Sequence, residues 1–176
     1  FYIDMRESMD DASWRALFMT SPIEREGQLY PEDQLRRYFE LPDKAPEAII
    51  AVCDTKEKGS DYAVMPVAYK YGDDFYIEEC VCDNGAPDVV ETRLWMVLVK
   101  HKVQLAQFES NSAGGKVAEK CQQEVKAHGG ITKIVTRYTT ANKETKIIVN
   151  SPWVMEHCLF KDNSVIKNNK EYRSVL

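Results

Sequence analysis

Val103-Gln104-Leu105-Ala106-Gln107-Phe108-Glu109-Ser110-Asn111-Ser112-Ala113-Gly114-Gly115 is an apolar-rich run that ends in an acid, a polar turn and two glycines. The pattern predicts a buried strand with one carboxylate at its C-terminal end, then a turn, then a helix. In open α/β sheets that edge is where ligands bind, which makes Glu109 the first candidate site residue. The stretch alone also allows a plainer role, a turn acid beside the positive end of the next helix. Asn111 either fixes the turn and caps the helix or reaches a ligand. Gly114 and Gly115 serve either a close approach of backbone to phosphate or tight helix packing.

Outward from this stretch, Ala48-Ile49-Ile50-Ala51-Val52-Cys53-Asp54 is a second near-continuous apolar run ending in an acid, as expected of a strand buried on both faces. A polar turn then leads into Asp61–Tyr69 as a strand, where Pro66 lacks a ladder donor and predicts a bulge or an edge. Gly72-Asp73-Asp74 turns the chain into Phe75–Val81, completing a hairpin. Val90, Leu94, Val97 and Leu98 recur at helical spacing up to about Lys100. Val117, Cys121 and Val125 do so beyond the glycine pair, stopping at Gly129-Gly130. Ile131–Tyr138 is β-branched enough for a fifth strand. A polar loop, a short helix ending near Pro152 and the segment Trp153–Phe160 complete the pattern.

A three-stranded antiparallel start followed by parallel strands with crossover helices is a ribonuclease H-like α/β topology. The acids at the ends of its first and fourth strands, Asp54 and Glu109, stand where that fold places metal ligands. Residues 1–44 show no sustained period, apart from a helix expected after Pro31 at Glu32–Phe39, and read as an arm or linker. Residues 45–176 read as the domain.

At 176 residues the chain suits one good core with an appendage. Its 44% hydrophobic and 29% charged content is that of a globular protein, without a membrane span or secretory signal. Net charge is 23 − 28 = −5, which argues against a protein that grips nucleic acid with its whole surface and leaves room for a local basic strip. The five cysteines are odd in number and scattered, and Cys80-Val81-Cys82 has the wrong spacing for a zinc knuckle. A reducing compartment with free thiols follows. His101, His128 and His157 show no ligand spacing and read as structural.

Four stretches, in order along the chain, resemble the C-terminal nuclease domain of the large terminase subunit of tailed bacteriophages: Ser21–Tyr30, Asp54 with Gly59-Ser60-Asp61-Tyr62, Phe108–Gly115, and Asn142–Ile147. The resemblance implies a metal-dependent endonuclease that cuts concatemeric viral DNA during genome packaging. It implies Mg²⁺ or Mn²⁺, two ions in the complete site, held by Asp54 and Glu109. Asp61, across a short turn from Asp54, is the candidate third acid or else a turn residue bonded to local amides. Lys143, near the end of the fifth strand, is a candidate phosphate contact, with Asn111 a weaker one. Implied partners are double-stranded DNA, an ATPase domain preceding residues 1–44, a small terminase subunit and a portal, in the host cytoplasm. The sequence departs from the family in lacking a Walker-type phosphate loop and the family's late Asp-rich motif, so a domain whose C-terminal end is missing is expected, with at least one more carboxylate beyond Leu176. Alternatives are a resolvase- or integrase-type nuclease of the same fold, or a non-catalytic docking module of a packaging motor.

Overall fold

The computed structural model describes residues 29–55, 61–111, 114–140, 142–166 and 169–173. These fall into two compact units, one holding the residues up to Arg36 together with Thr140–Cys158, the other Arg37–Thr139 with Leu159–Leu176. Most of the family-like stretch Ser21–Tyr30, and the turn residues Gly59 and Ser60, lie outside the described residues. No described helix is long and apolar enough to cross a membrane.

The larger unit is built on a seven-stranded sheet of β1 (Arg36–Tyr38), β2 (Ala48–Cys53), β3 (Ala63–Tyr71), β4 (Asp74–Asp83), β5 (Leu105–Glu109), β6 (Lys133–Arg137) and β7 (Cys158–Lys161). The spatial order is β1-β7-β4-β3-β2-β5-β6. Strands β2, β3 and β4 are antiparallel neighbours, whereas β5 and β6 join β2 in parallel through helices α1 (Pro87–Lys100) and α2 (Gly114–Ala127).

Pairing decides two places where local pattern pointed elsewhere. Residues 32–39 do not form the expected helix: Pro31–Gln34 make a turn, and Arg36–Tyr38 add a strand at the sheet edge. The Asp162 N–H donates to the Tyr38 carbonyl, and Tyr38, 6% exposed, buries its ring, a tertiary gain that outweighs helix propensity. The expected short helix ending near Pro152 instead runs through it as α3 (Lys143–His157), in the smaller unit. Proline removes the N–H that would bond the Ile148 carbonyl. The Ser151 hydroxyl donates to that oxygen at 2.9 Å and supplies the missing partner.

Pro66 leaves a related mark on the sheet. β3 is interior to the sheet rather than at an edge, and the irregularity beside it falls on its partner: β4 bulges at Glu78, the extra residue opposite the Val67–Ala68 step. The β2–β3 register runs from Ala48↔Lys70 to Ala51↔Val67 and resumes only at the Asp54↔Val64 bridge. Asp54 and Val64 exchange both backbone hydrogen bonds, and alternation makes Val52 and Pro66 the next hydrogen-bonded pair. Pro66 has no N–H to give, and the ladder opens there.

The main core lies on one face, where Cys53, Met65, Val67, Ala106 and Phe108 meet Leu94 and Leu98 of α1 and Cys121 and Val125 of α2. On the opposite face, over β3 and β4, Ile166 of α4 (Asn163–Ile166) and Tyr172 of α5 (Lys170–Arg173) pack on Ala68, Ile77 and Cys80. The Tyr172 hydroxyl donates to the Ile77 carbonyl at 2.5 Å and accepts from the Lys161 N–H at 2.9 Å. All five cysteines are free, and burial pushes the Cys80 and Cys121 thiols up to about 12.

Candidate active site

Strand register builds the site. Cys53 of β2 pairs with Phe108 of β5 in parallel, so Asp54 and Glu109 occupy the next position of neighbouring strands, about 4.8 Å apart along the hydrogen-bonding direction. Val64 bridges Asp54 on one side and Arg137 pairs with Glu109 on the other. Because successive side chains alternate faces and Cys53 and Phe108 point into the main core, Asp54 and Glu109 face away from it, both partly accessible. Val52, two residues before Asp54 on the same face, is 50% exposed. The pair therefore sits at an open sheet surface that water can reach.

Two devices hold the Glu109 end of β5. The Asn111 side-chain amide donates to Glu109 Oε1 at 3.0 Å and to the Thr139 carbonyl at 3.2 Å, while its oxygen accepts from the Thr139 N–H at 3.3 Å. Asn111 thereby ties the carboxylate to the chain leaving β6. Gly114 brings the start of α2 against the strand ends, where a Cβ would lie 2.0 Å from the Glu109 carbonyl oxygen and 2.7 Å from Thr55 Oγ1. Only a residue without a side chain permits that approach. It seats the start of a 14-residue helix against the C-terminal end of β5.

The other sequence candidates sit differently. Asp61 is exposed, two residues before β3 and three before Val64, an offset of roughly 10 Å for extended chain. Among the described residues no group of three or more His, Cys, Asp or Glu side chains is arranged to hold a metal ion, so Asp54, Glu109 and Asp61 do not form one cluster. Lys143 opens α3 in the smaller unit, behind an Asn142 cap whose oxygen accepts from the Glu144 N–H at 2.8 Å. Asp83, at the same sheet end on β4, is used structurally. Its carboxylate pairs with Arg93, which also reaches Glu171 at 2.5 Å and so fastens α5 to α1. Arg137 escaped the sequence reading because only the β5–β6 register places it beside Glu109.

The histidines have structural surroundings. Tyr69 and Glu79 contact the two ring nitrogens of His101 at 2.9 and 2.5 Å, and Lys100 joins the same Glu79 oxygen at 2.6 Å. These partners, the His101 hydrogen bond foremost, hold the Glu79 carboxyl down at about 2. His128 stacks on Trp95 with ring centroids 4.2 Å apart.

The order β4-β3-β2-β5-β6, antiparallel then parallel with both crossover helices on one face, is the ribonuclease H-like fold, here extended at one edge by β7 and β1. Within it, the chain has the fold of phage large terminase nuclease domains. The large terminase of a thermophilic bacteriophage matches with TM-score 0.55 at 11% identity, over 98% of this chain and 43% of that one; its ADP complex gives 0.57. The nuclease domain of the phage P22 large terminase matches with TM-score 0.50 at 16% identity, over 84% of this chain and 78% of that one. The chain thus spans less than half the length of the thermophilic phage terminase. Comparison of the sequence with protein-family models and with curated proteins finds no match.

Proposed function

We propose that this chain is the nuclease domain of a phage large terminase, a divalent-metal-dependent endonuclease that cuts concatemeric viral DNA during packaging. The observation that carries the reading is the pair Asp54 and Glu109, side by side at the C-terminal ends of parallel strands β2 and β5, facing solvent, in a terminase-like fold. In this reading the domain is part of a longer chain with an ATPase domain, works with a small terminase subunit and a portal in the host cytoplasm, and acts on double-stranded DNA.

The donor set suits Mg²⁺ or Mn²⁺. These hard ions take oxygen ligands, keep several waters and are commonly held by one or two carboxylates plus substrate phosphate, which matches two carboxylates at an open surface. Bound there, the metal would supply an activated water and neutralise charge building on the phosphate. Asp54 and Glu109 hold and orient the ion. Asn111, by donating to Glu109 Oε1, would orient that carboxylate toward the ion. Asp61, set back from the pair, would be the third acid of the set, and Lys143 would contact a phosphate of the duplex. The complete site, with substrate bound, would hold two ions.

A supercoiled plasmid incubated with the protein and Mn²⁺, with and without chelator, tests the reading. Metal-dependent nicking or linearisation supports it. Plasmid left intact under all conditions favours a docking module and refutes the nuclease.

A further inference from the structure

Across the C-terminal edge of the sheet, one register row reads Cys82, Val64, Asp54, Glu109, Arg137. Arg137 ends this row beside the carboxylate pair, on the same face as Glu109 and exposed. Other arginines are used by the fold: Arg93 is clamped by Asp83 and Glu171, Arg36 donates to the Glu156 carbonyl at 2.5 Å, and Arg37 to the Lys161 carbonyl at 3.3 Å. Arg137 makes no ion pair among the described residues. Its neighbour Glu109 is instead engaged by Asn111. Tyr138, the next residue, is 70% exposed.

We propose that Arg137 is a phosphate-binding residue that seats the DNA backbone next to the Asp54–Glu109 pair, with Tyr138 packing against the adjoining sugar. This rests on the nuclease reading for its substrate. A chain with net charge −5 repels a polyanion, and a duplex approaching two carboxylates meets that repulsion at its strongest. A planar guanidinium one strand away offsets it and grips a phosphate with paired donors. Position and chemistry thus agree: the cation makes no ion pair among the described residues, is exposed and stands in register with the carboxylates.

The test is duplex binding by fluorescence anisotropy, with a mixed-sequence duplex of about 25 base pairs, in chelator, from 50 to 200 mM salt. Without metal, the result is independent of whether Asp54 and Glu109 hold an ion, and plasmid cleavage by wild type and Asp54→Asn decides that question separately. Arg137→Gln is compared with Lys133→Gln, which removes the same charge from the far end of the same strand, roughly 13 Å away. Loss of one phosphate contact lowers the slope of log K against log salt by about 1 and shrinks the 50-to-200 mM affinity ratio by about 3.5-fold. The expected result is that loss in Arg137→Gln, wild-type behaviour in Lys133→Gln, and recovery of most of the slope in Arg137→Lys. Equal slopes for wild type and Arg137→Gln, or the same loss in both glutamine variants, overturn the assignment.

Discussion

The two adjacent glycines at the start of α2 should respond in opposite ways to the same substitution. In Gly114→Ala the new methyl group would sit 2.0 Å from the Glu109 carbonyl oxygen, and Cβ atoms essentially never come within 3.0 Å of another heavy atom, so at least 3.0 − 2.0 = 1.0 Å must be found. The obstructing atom is backbone and cannot rotate away. Relief requires the first turn of α2 or the end of β5 to shift. Overpacking of this kind costs about 1–3 kcal/mol, and with a second contact at 2.7 Å to Thr55 the upper figure applies. With a urea m-value of about 2 kcal/mol/M, the unfolding midpoint falls by roughly 1.5 M. Gly115→Ala meets nothing within 4 Å, and an alanine in a helix gains up to about 1 kcal/mol over glycine, raising the midpoint by up to about 0.5 M. Urea unfolding followed by circular dichroism measures both. Equal destabilisation by the two substitutions, or a neutral Gly114→Ala, would refute the close-approach argument.

Asn111→Ala removes the hydrogen bond that Asn111 gives the Glu109 carboxylate and should weaken Mn²⁺ binding by about 10–100-fold, as removal of partners that orient metal ligands generally does; titration by calorimetry checks this, and unchanged affinity would leave Asn111 a turn residue only. Glu79, held at about 2 against an ordinary 4.5, contributes stability that is fully present above pH 4.5 and is lost as pH falls toward 2. The ceiling is about 3 kcal/mol before solvent screening of this partly exposed group, and Glu79→Gln should flatten that acid limb of the urea midpoint. Ser151→Ala leaves the Ile148 carbonyl without its hydroxyl donor inside a proline-containing helix and should cost about 1 kcal/mol, read by thermal unfolding against a Ser151→Thr control that retains the hydroxyl.

The central frame was legible because two apolar runs, 48–53 and 105–108, each stop at an acid, and because helical periods bracket the second. Strand order then followed from topology. What stayed hidden depends on contacts between distant residues. Nothing local in Arg36-Arg37-Tyr38 predicts a strand, since its pairing and the Tyr38 hydrogen bonds to the Ile77 carbonyl and Glu78 come from far along the chain. Pro152 reads as a helix end unless Ser151 is recognised as the substitute donor. The site shows the same division: Asp54 and Glu109 are visible as residues, but the row that adds Arg137 exists only once β5 and β6 are in register. Which member of the Gly114-Gly115 pair is indispensable is likewise a matter of where the Glu109 carbonyl lies.

Where a divalent ion binds is the most direct test of the Asp54–Glu109 pair. Backbone amide spectra of the protein titrated with substoichiometric Mn²⁺ report this through paramagnetic broadening, which detects weak binding as readily as tight. The expected result is broadening centred on Asp54, Thr55, Glu109 and Asn111, abolished in Asp54→Asn and in Glu109→Gln while both variants keep the wild-type fold. Broadening centred elsewhere, for example at Glu79 and His101, or broadening that survives both substitutions, would contradict the assignment of the site to Asp54 and Glu109.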